Sequence, residues 1–135
     1  MARPFFRLTP IAIALALAAG CGSDSTSPQP TPESGDITIV KGASLMTTTA
    51  FSPNPKTISL ADGGQVRWVN ADGGSSVYGG GTATAHQIMS DDAAFEASEP
   101  FSPGQSYTVI LGAAGTYHYH CNIHPNMVGT ITVTQ

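Results

Sequence analysis

Positive charge is scarce in this sequence. Only five Lys and Arg residues occur among 135, and two of them, Arg3 and Arg7, lie at the extreme amino end. Beyond it, Lys41, Lys56 and Arg67 stand against nine acidic residues, a net charge of about −6. A nucleic-acid binder needs a basic face, so that class is excluded, whereas a basic protein partner is compatible. Cysteine is sparse too: Cys21 and Cys121 are the only two, and a disulfide between them is disfavoured because Cys21 sits at the boundary of an export signal, ahead of a Ser/Pro-rich tether. Internal repeats, coiled-coil heptads and any long amphipathic helix are also missing, which removes solenoids and helical bundles.

What is present at the amino end reads as an address. Arg3 and Arg7 precede the small-apolar run IAIALALAAG, residues 11–20, the charged and hydrophobic regions of an export signal. Ten residues are too few to cross a bilayer, which takes about 20. The run stops at Cys21, and LAAGC from Leu17 resembles the lipobox of bacterial lipoproteins, with Ala18 where leucine is preferred. That resemblance implies acylation of Cys21 and a lipid anchor in the bacterial cell envelope; an ordinary signal peptide would leave Cys21 lost or idle. GSDSTSPQPTPESG, residues 22–35, holds no large apolar residue and suits a flexible tether. The expected organisation is therefore a signal peptide at 1–20, an acylated Cys and Ser/Pro-rich tether at 21–35, and one folded domain at 36–135.

Within that domain, Gly, Pro, Asp and Ser clusters separate short β-branched or aromatic runs. Strands are predicted at 37–42, 56–61, 65–70, 85–90, 105–112, 115–121 and 128–135, an all-β Greek-key sandwich of about seven to eight strands. A turn or two of helix is expected only at DDAAFEAS, 91–98, capped by Asp91 or Asp92. Alternation places Val66 and Trp68 on one face, so the only tryptophan belongs in the core. In GTYHYHC, 115–121, it puts Tyr117, Tyr119 and Cys121 inward and His118 and His120 outward.

The chemistry concentrates in HYHCNIHPNM, residues 118–127. Cys121, His124 and Met127 are spaced C-x2-H-x2-M in a loop between two predicted strands, tight enough to curl three side chains around one ion but open on one side. His86, the one histidine elsewhere, can close it. A thiolate, two imidazoles and a thioether form a soft donor set, and two His and one Cys with a weak axial Met is the arrangement of blue-copper electron-transfer sites. Zinc could take the same donors but would give no redox function. If Cys21 is lipidated, Cys121 stands alone, and metal ligation would protect its thiol in an oxidising compartment.

These segments resemble the cupredoxins, the small blue copper proteins that include plastocyanin and amicyanin. FSPNPKTISLADGGQVRWVN, 51–70, is similar to the family's F-x-P…G-x-x-V-x-W-x-N segment, and GTYHYHCNIHPNMVGTITV, 115–133, to its G-x-Y-x-Y-x-C-x-x-H-P-x-M-x-G-x-x-x-V segment. The resemblance implies that His86, Cys121, His124 and Met127 hold one copper ion cycling between Cu(I) and Cu(II), with amicyanin-like spacing and His124 near the surface. It also implies a monomeric electron carrier, not an enzyme, serving a redox protein such as a c-type cytochrome or a copper or haem enzyme. Two features depart from the family. ADGGSSVYGGGTATA, 71–85, is a Gly-rich insertion, read as a surface elaboration or as a cover or recognition loop, and Gln87 replaces a smaller polar residue.

Two rival readings stand beside this. A storage or delivery protein could use the same ligands without electron transfer. A copper enzyme would need a second metal near His118 and His120, which default to solvent-facing strand positions; the His120–Cys121 pair is similar to that of copper nitrite reductases, but the further histidines those enzymes require are missing, and Asn122 breaks the His-Cys-His of multicopper oxidases. The acidic residues Asp91, Asp92, Glu96 and Glu99 either steer a basic partner or simply form a solvated edge.

Overall fold

In a computed structural model, residues 35–74 and 83–135 are described. The expected signal peptide, Cys21, the tether and the centre of the Gly-rich insertion lie outside the described residues. Among the described residues eight strands form two four-stranded sheets, the all-β sandwich expected. The strands are β1 (Ile37–Ile39), β2 (Phe51–Ser52), β3 (Lys56–Ser59), β4 (Gln65–Asn70), β5 (Ile88–Ser90), β6 (Ser106–Ile110), β7 (Gly115–Cys121) and β8 (Val128–Thr134). One sheet runs β2-β1-β4-β6 and the other β3-β8-β7-β5. Pairing is antiparallel except between β1 and β4 and between β3 and β8, which are parallel.

Alternation explains which residues fill the gap between the sheets. Val66 and Trp68 of β4, Tyr119 and Cys121 of β7, and Gly129, Ile131 and Val133 of β8 are buried, as successive side chains on a pleated strand point to opposite faces. Trp68 anchors an aromatic cluster: Tyr119 meets it edge-on with ring centroids 5.2 Å apart, Tyr107 stacks at 5.7 Å, and Phe51 meets Tyr119 edge-on at 4.9 Å. Such offset and edge-to-face pairs add about 0.5–1.5 kcal/mol each beyond the area they bury. Tyr119 pairs across the ladder with Gly129, and any Cβ on Gly129 would overlap the Tyr119 ring. The glycine is there for the ring.

The segment 91–98 is a run of turns rather than the short helix expected. Ala93 sits at φ 54°, the Ser90 hydroxyl takes the Ala94 N–H at 3.0 Å, and Phe95 packs against Trp68 at 5.7 Å. A local side-chain acceptor and a core contact outweigh a weak helical preference over so few residues.

The ends of several elements converge on one edge of the sandwich. The β7–β8 loop opens there, because Ile88 pairs with Cys121 and His120 with Val128. The ends of β1 and β4 reach the same edge, where the Ala71 N–H donates to the Ile39 carbonyl at 3.0 Å. His86 arrives through an isolated bridge with Phe101, paired by two backbone hydrogen bonds of 3.2 and 2.9 Å.

Candidate metal centre

Cys121 is the last residue of β7, and its inward parity aims the thiol between the sheets; it is fully buried and free of any disulfide. The chain then turns back on itself. The Met127 N–H donates to the His124 carbonyl at 2.9 Å and the Cys121 N–H to the Met127 carbonyl at 3.0 Å, so the loop closes within seven residues. His124 is half-buried and Met127 fully buried.

Three donor atoms meet here. Cys121 Sγ lies 3.6 Å from His86 Nδ1 and 3.7 Å from His124 Nδ1, and the donor atoms of the trio all fall within 4.8 Å of one another. The imidazoles are tilted at 57° with centroids 5.1 Å apart. An ion bound at about 2.3 Å from sulfur and about 2.0–2.1 Å from nitrogen, with angles between tetrahedral and trigonal, needs sulfur and nitrogen about 3.6–3.8 Å apart. The observed separations meet that requirement, so these residues fit a soft or borderline ion such as copper. This trio is the one such cluster among the described residues.

Electrostatics keep His86 ready to donate. Burial pushes its pKa down, the hydrogen bond and charge of Asp72 push the other way, and the neighbouring His124 lowers it again. A neutral ring has a lone pair to give; a protonated one has none.

A family profile for copper-binding proteins of the plastocyanin/azurin family matches residues 40–134, most of the chain. The chain is a cupredoxin. A plastocyanin from Prochlorothrix hollandica is 32% identical over 100 residues, covering 65% of this chain and 69% of that protein. Among solved structures, the cupredoxin fold is shared with a purple cupredoxin from Nitrosopumilus maritimus, 28% identical, TM-score 0.60, covering 73% of this chain and 98% of that one. Amicyanin from Paracoccus versutus, 23% identical, TM-score 0.53, covers 76% of this chain and 84% of its own.

Around the cupredoxin site, Gln87 does more than its size suggested. Its backbone carbonyl accepts the Asn122 N–H and its side-chain oxygen the Asn122 amide, both at 2.9 Å, while its own amide donates to the Ser98 carbonyl at 2.8 Å. The longer side chain reaches across and ties the segment bearing His86 to the loop bearing His124. On the opposite side, the Asn126 amide donates to the Ser44 and Met46 carbonyls at 3.3 and 2.6 Å.

His118 is exposed and His120 half-buried, both turned away from the core. His120 Nδ1 lies 2.5 Å from Asp91 Oδ1, and His118 Nδ1 is 3.3 Å from Thr130 Oγ1. They join no metal cluster among the described residues. The residue that sequence reasoning passed over is Asp72. It sits at the start of the Gly-rich insertion, yet it is buried, with Oδ2 3.1 Å from His86 Nε2. Its only sequence signal was a carboxylate flanked by Asn70 and a histidine fourteen residues on.

Proposed function

We propose that this cupredoxin is a single-electron carrier of the bacterial cell envelope, tethered by lipid on Cys21, in which His86, Cys121, His124 and Met127 would hold one copper ion. The observation that carries it is the buried Cys121 thiol held 3.6 and 3.7 Å from two imidazole nitrogens supplied by different segments. Copper, when bound, supplies the one-electron couple.

The residues supply constraint and access. Cys121 is fixed by β7 and by the hydrogen bonds that close its loop, and His86 by its bridge to Phe101, so their positions need not change between oxidation states. A scaffold that resists rearrangement suits repeated electron exchange better than release of the ion. That is why the carrier reading stands ahead of storage or delivery. Met127 is fully buried at the end of the same loop, where its backbone closes onto Cys121 and His124. His124 is the donor residue with a solvent-facing side, and exposed Ile123 and Pro125 flank it, which makes its ring the natural route for the electron. The partner would be a basic redox protein such as a c-type cytochrome, consistent with the acidic surface.

Titration of the 36–135 domain with Cu(II) tests this. One equivalent should give an intense visible thiolate-to-copper band and narrow hyperfine splitting, both lost in Cys121→Ala, together with a reversible one-electron wave. A colourless complex, or copper bound equally by the variant, would remove the carrier reading.

A further inference from the structure

We propose that Asp72 is the residue that sets the donor strength and orientation of His86, and through it the reduction potential. The inference rests on the copper reading above and concerns the far side of the imidazole.

Asp72 lies two residues beyond β4, and four contacts fix it. Its backbone N–H donates to the Asn70 side-chain oxygen at 2.8 Å. One carboxylate oxygen, Oδ1, accepts the Gly42 N–H at 2.6 Å, and the other, Oδ2, lies 3.1 Å from His86 Nε2. Neither side chain has freedom to look elsewhere: His86 is 0% and Asp72 4% exposed. Asn70, also fully buried, braces the pair by donating to the Thr84 and Phe101 carbonyls at 2.9 and 3.0 Å, while the Thr84 N–H returns to the Asp72 carbonyl at 3.2 Å. The two ends of the Gly-rich insertion are thereby pinched together next to His86.

The geometry dictates the tautomer. An ionised carboxylate only accepts, so with Gly42 on one oxygen, the atom facing the other must be an N–H. His86 therefore carries its proton on Nε2 and turns the Nδ1 lone pair toward Cys121 Sγ, 3.6 Å away. A carboxylate oxygen accepting from the distal N–H makes the ring a stronger donor and favours the more highly charged oxidation state. No neutral side chain reproduces this. An amide at position 72 has one acceptor and one donor end, and would set an N–H against either Gly42 or His86.

Loss of such a hydrogen-bond partner typically lowers metal affinity by ~10–100-fold. A tenfold loss falling on Cu(II) alone raises a one-electron potential by about 59 mV. The experiment measures the potential and Cu(II) affinity of wild type, Asp72→Asn, Asp72→Ala and the surface control Asp92→Asn, each checked for fold by circular dichroism. Nitrogen-15 NMR of the copper-free protein reads the His86 tautomer independently. We expect wild-type His86 protonated on Nε2, a raised potential with at least tenfold weaker Cu(II) binding in both Asp72 variants, and a potential within a few millivolts of wild type in Asp92→Asn. A blue band that persists in Asp72→Asn and Asp72→Ala with unchanged potential and affinity, or a wild-type His86 protonated on Nδ1, would overturn this proposal while leaving the copper reading intact. Failure of the wild type to form the blue band would instead overturn the copper reading itself.

Discussion

Tyr119 presents a phenol deep in the apolar cluster two residues before Cys121. Among the described residues neither its oxygen nor the Trp68 indole nitrogen completes a hydrogen bond, although the indole lies close enough to favour the ionised phenol slightly. Burial dominates and pushes the Tyr119 pKa well above its ordinary value of 10.0. The folded protein therefore holds this proton more tightly than the unfolded chain does. The stability it contributes is complete below about pH 10 and falls as the pH rises above that, toward the raised folded value. Tyr119→Phe keeps the edge-on contacts with Trp68 and Phe51 and removes an unpaired polar group, so it should be neutral or stabilising by up to about 1 kcal/mol. It should also flatten the alkaline loss of stability, which denaturant unfolding at pH 8 and pH 11 will show. A destabilisation above 1 kcal/mol would mean that the phenol has a bound partner, such as an internal water.

At the scale of elements, the site is a loop between two strands, held from both flanks. Gln87 ties the loop to the His86 side through Asn122, and Asn126 ties it to the short 3-10 turn Ala43–Leu45, whose preceding Gly42 is the residue that Asp72 grips. One turn thus braces the Cys121–Met127 loop directly and His86 through Asp72. Asn126→Ala removes two surface hydrogen bonds, each worth about 0.5–1.5 kcal/mol net. The expected result is a modest fall in unfolding stability with several-fold faster copper loss to a chelator, measured by decay of the visible band. Unchanged release would show that the loop's own backbone hydrogen bonds suffice. The strands carrying this site were legible in sequence: β4 and β7 have the bounds expected for them, since each alternates large apolar or aromatic residues with polar ones over six or seven positions. The two-residue β2 and the shortened β5 were not, because an isolated bridge and a pair of residues leave no periodicity. Asp72 was hidden for another reason: nothing within a Gly-rich stretch says that a carboxylate will fold back onto a histidine fourteen residues away. Gln87, by contrast, was visible as a departure, but only the fold shows that its length is what spans to Asn122.

For the whole molecule, charge and architecture belong to one argument. The domain is small and acidic, and of its three cations Lys41 is exposed, Lys56 is buried and Arg67 grips Asp36 through two hydrogen bonds of 2.9 and 2.6 Å, which secures the start of β1 to β4. The surface field is therefore set by carboxylates, among them exposed Asp91, Asp92, Glu96 and Glu99. A lipid tether would confine the carrier to a membrane surface and a negative face would orient it toward cationic partners, two means of raising encounter rates without a tight complex. Glu96 and Glu99 are the residues to test, since both are exposed. With a basic c-type cytochrome as probe, the second-order rate of electron transfer should fall steeply as ionic strength passes from 0.01 to 0.1 M, where the screening length shrinks from about 30 to about 10 Å. The double variant Glu96→Gln, Glu99→Gln should be several-fold slower at low salt and show a shallower salt slope, with an unchanged potential. Equal rates and equal slopes for wild type and variant would assign this acidic stretch to solvation alone and move the docking face to the apolar rim around His124.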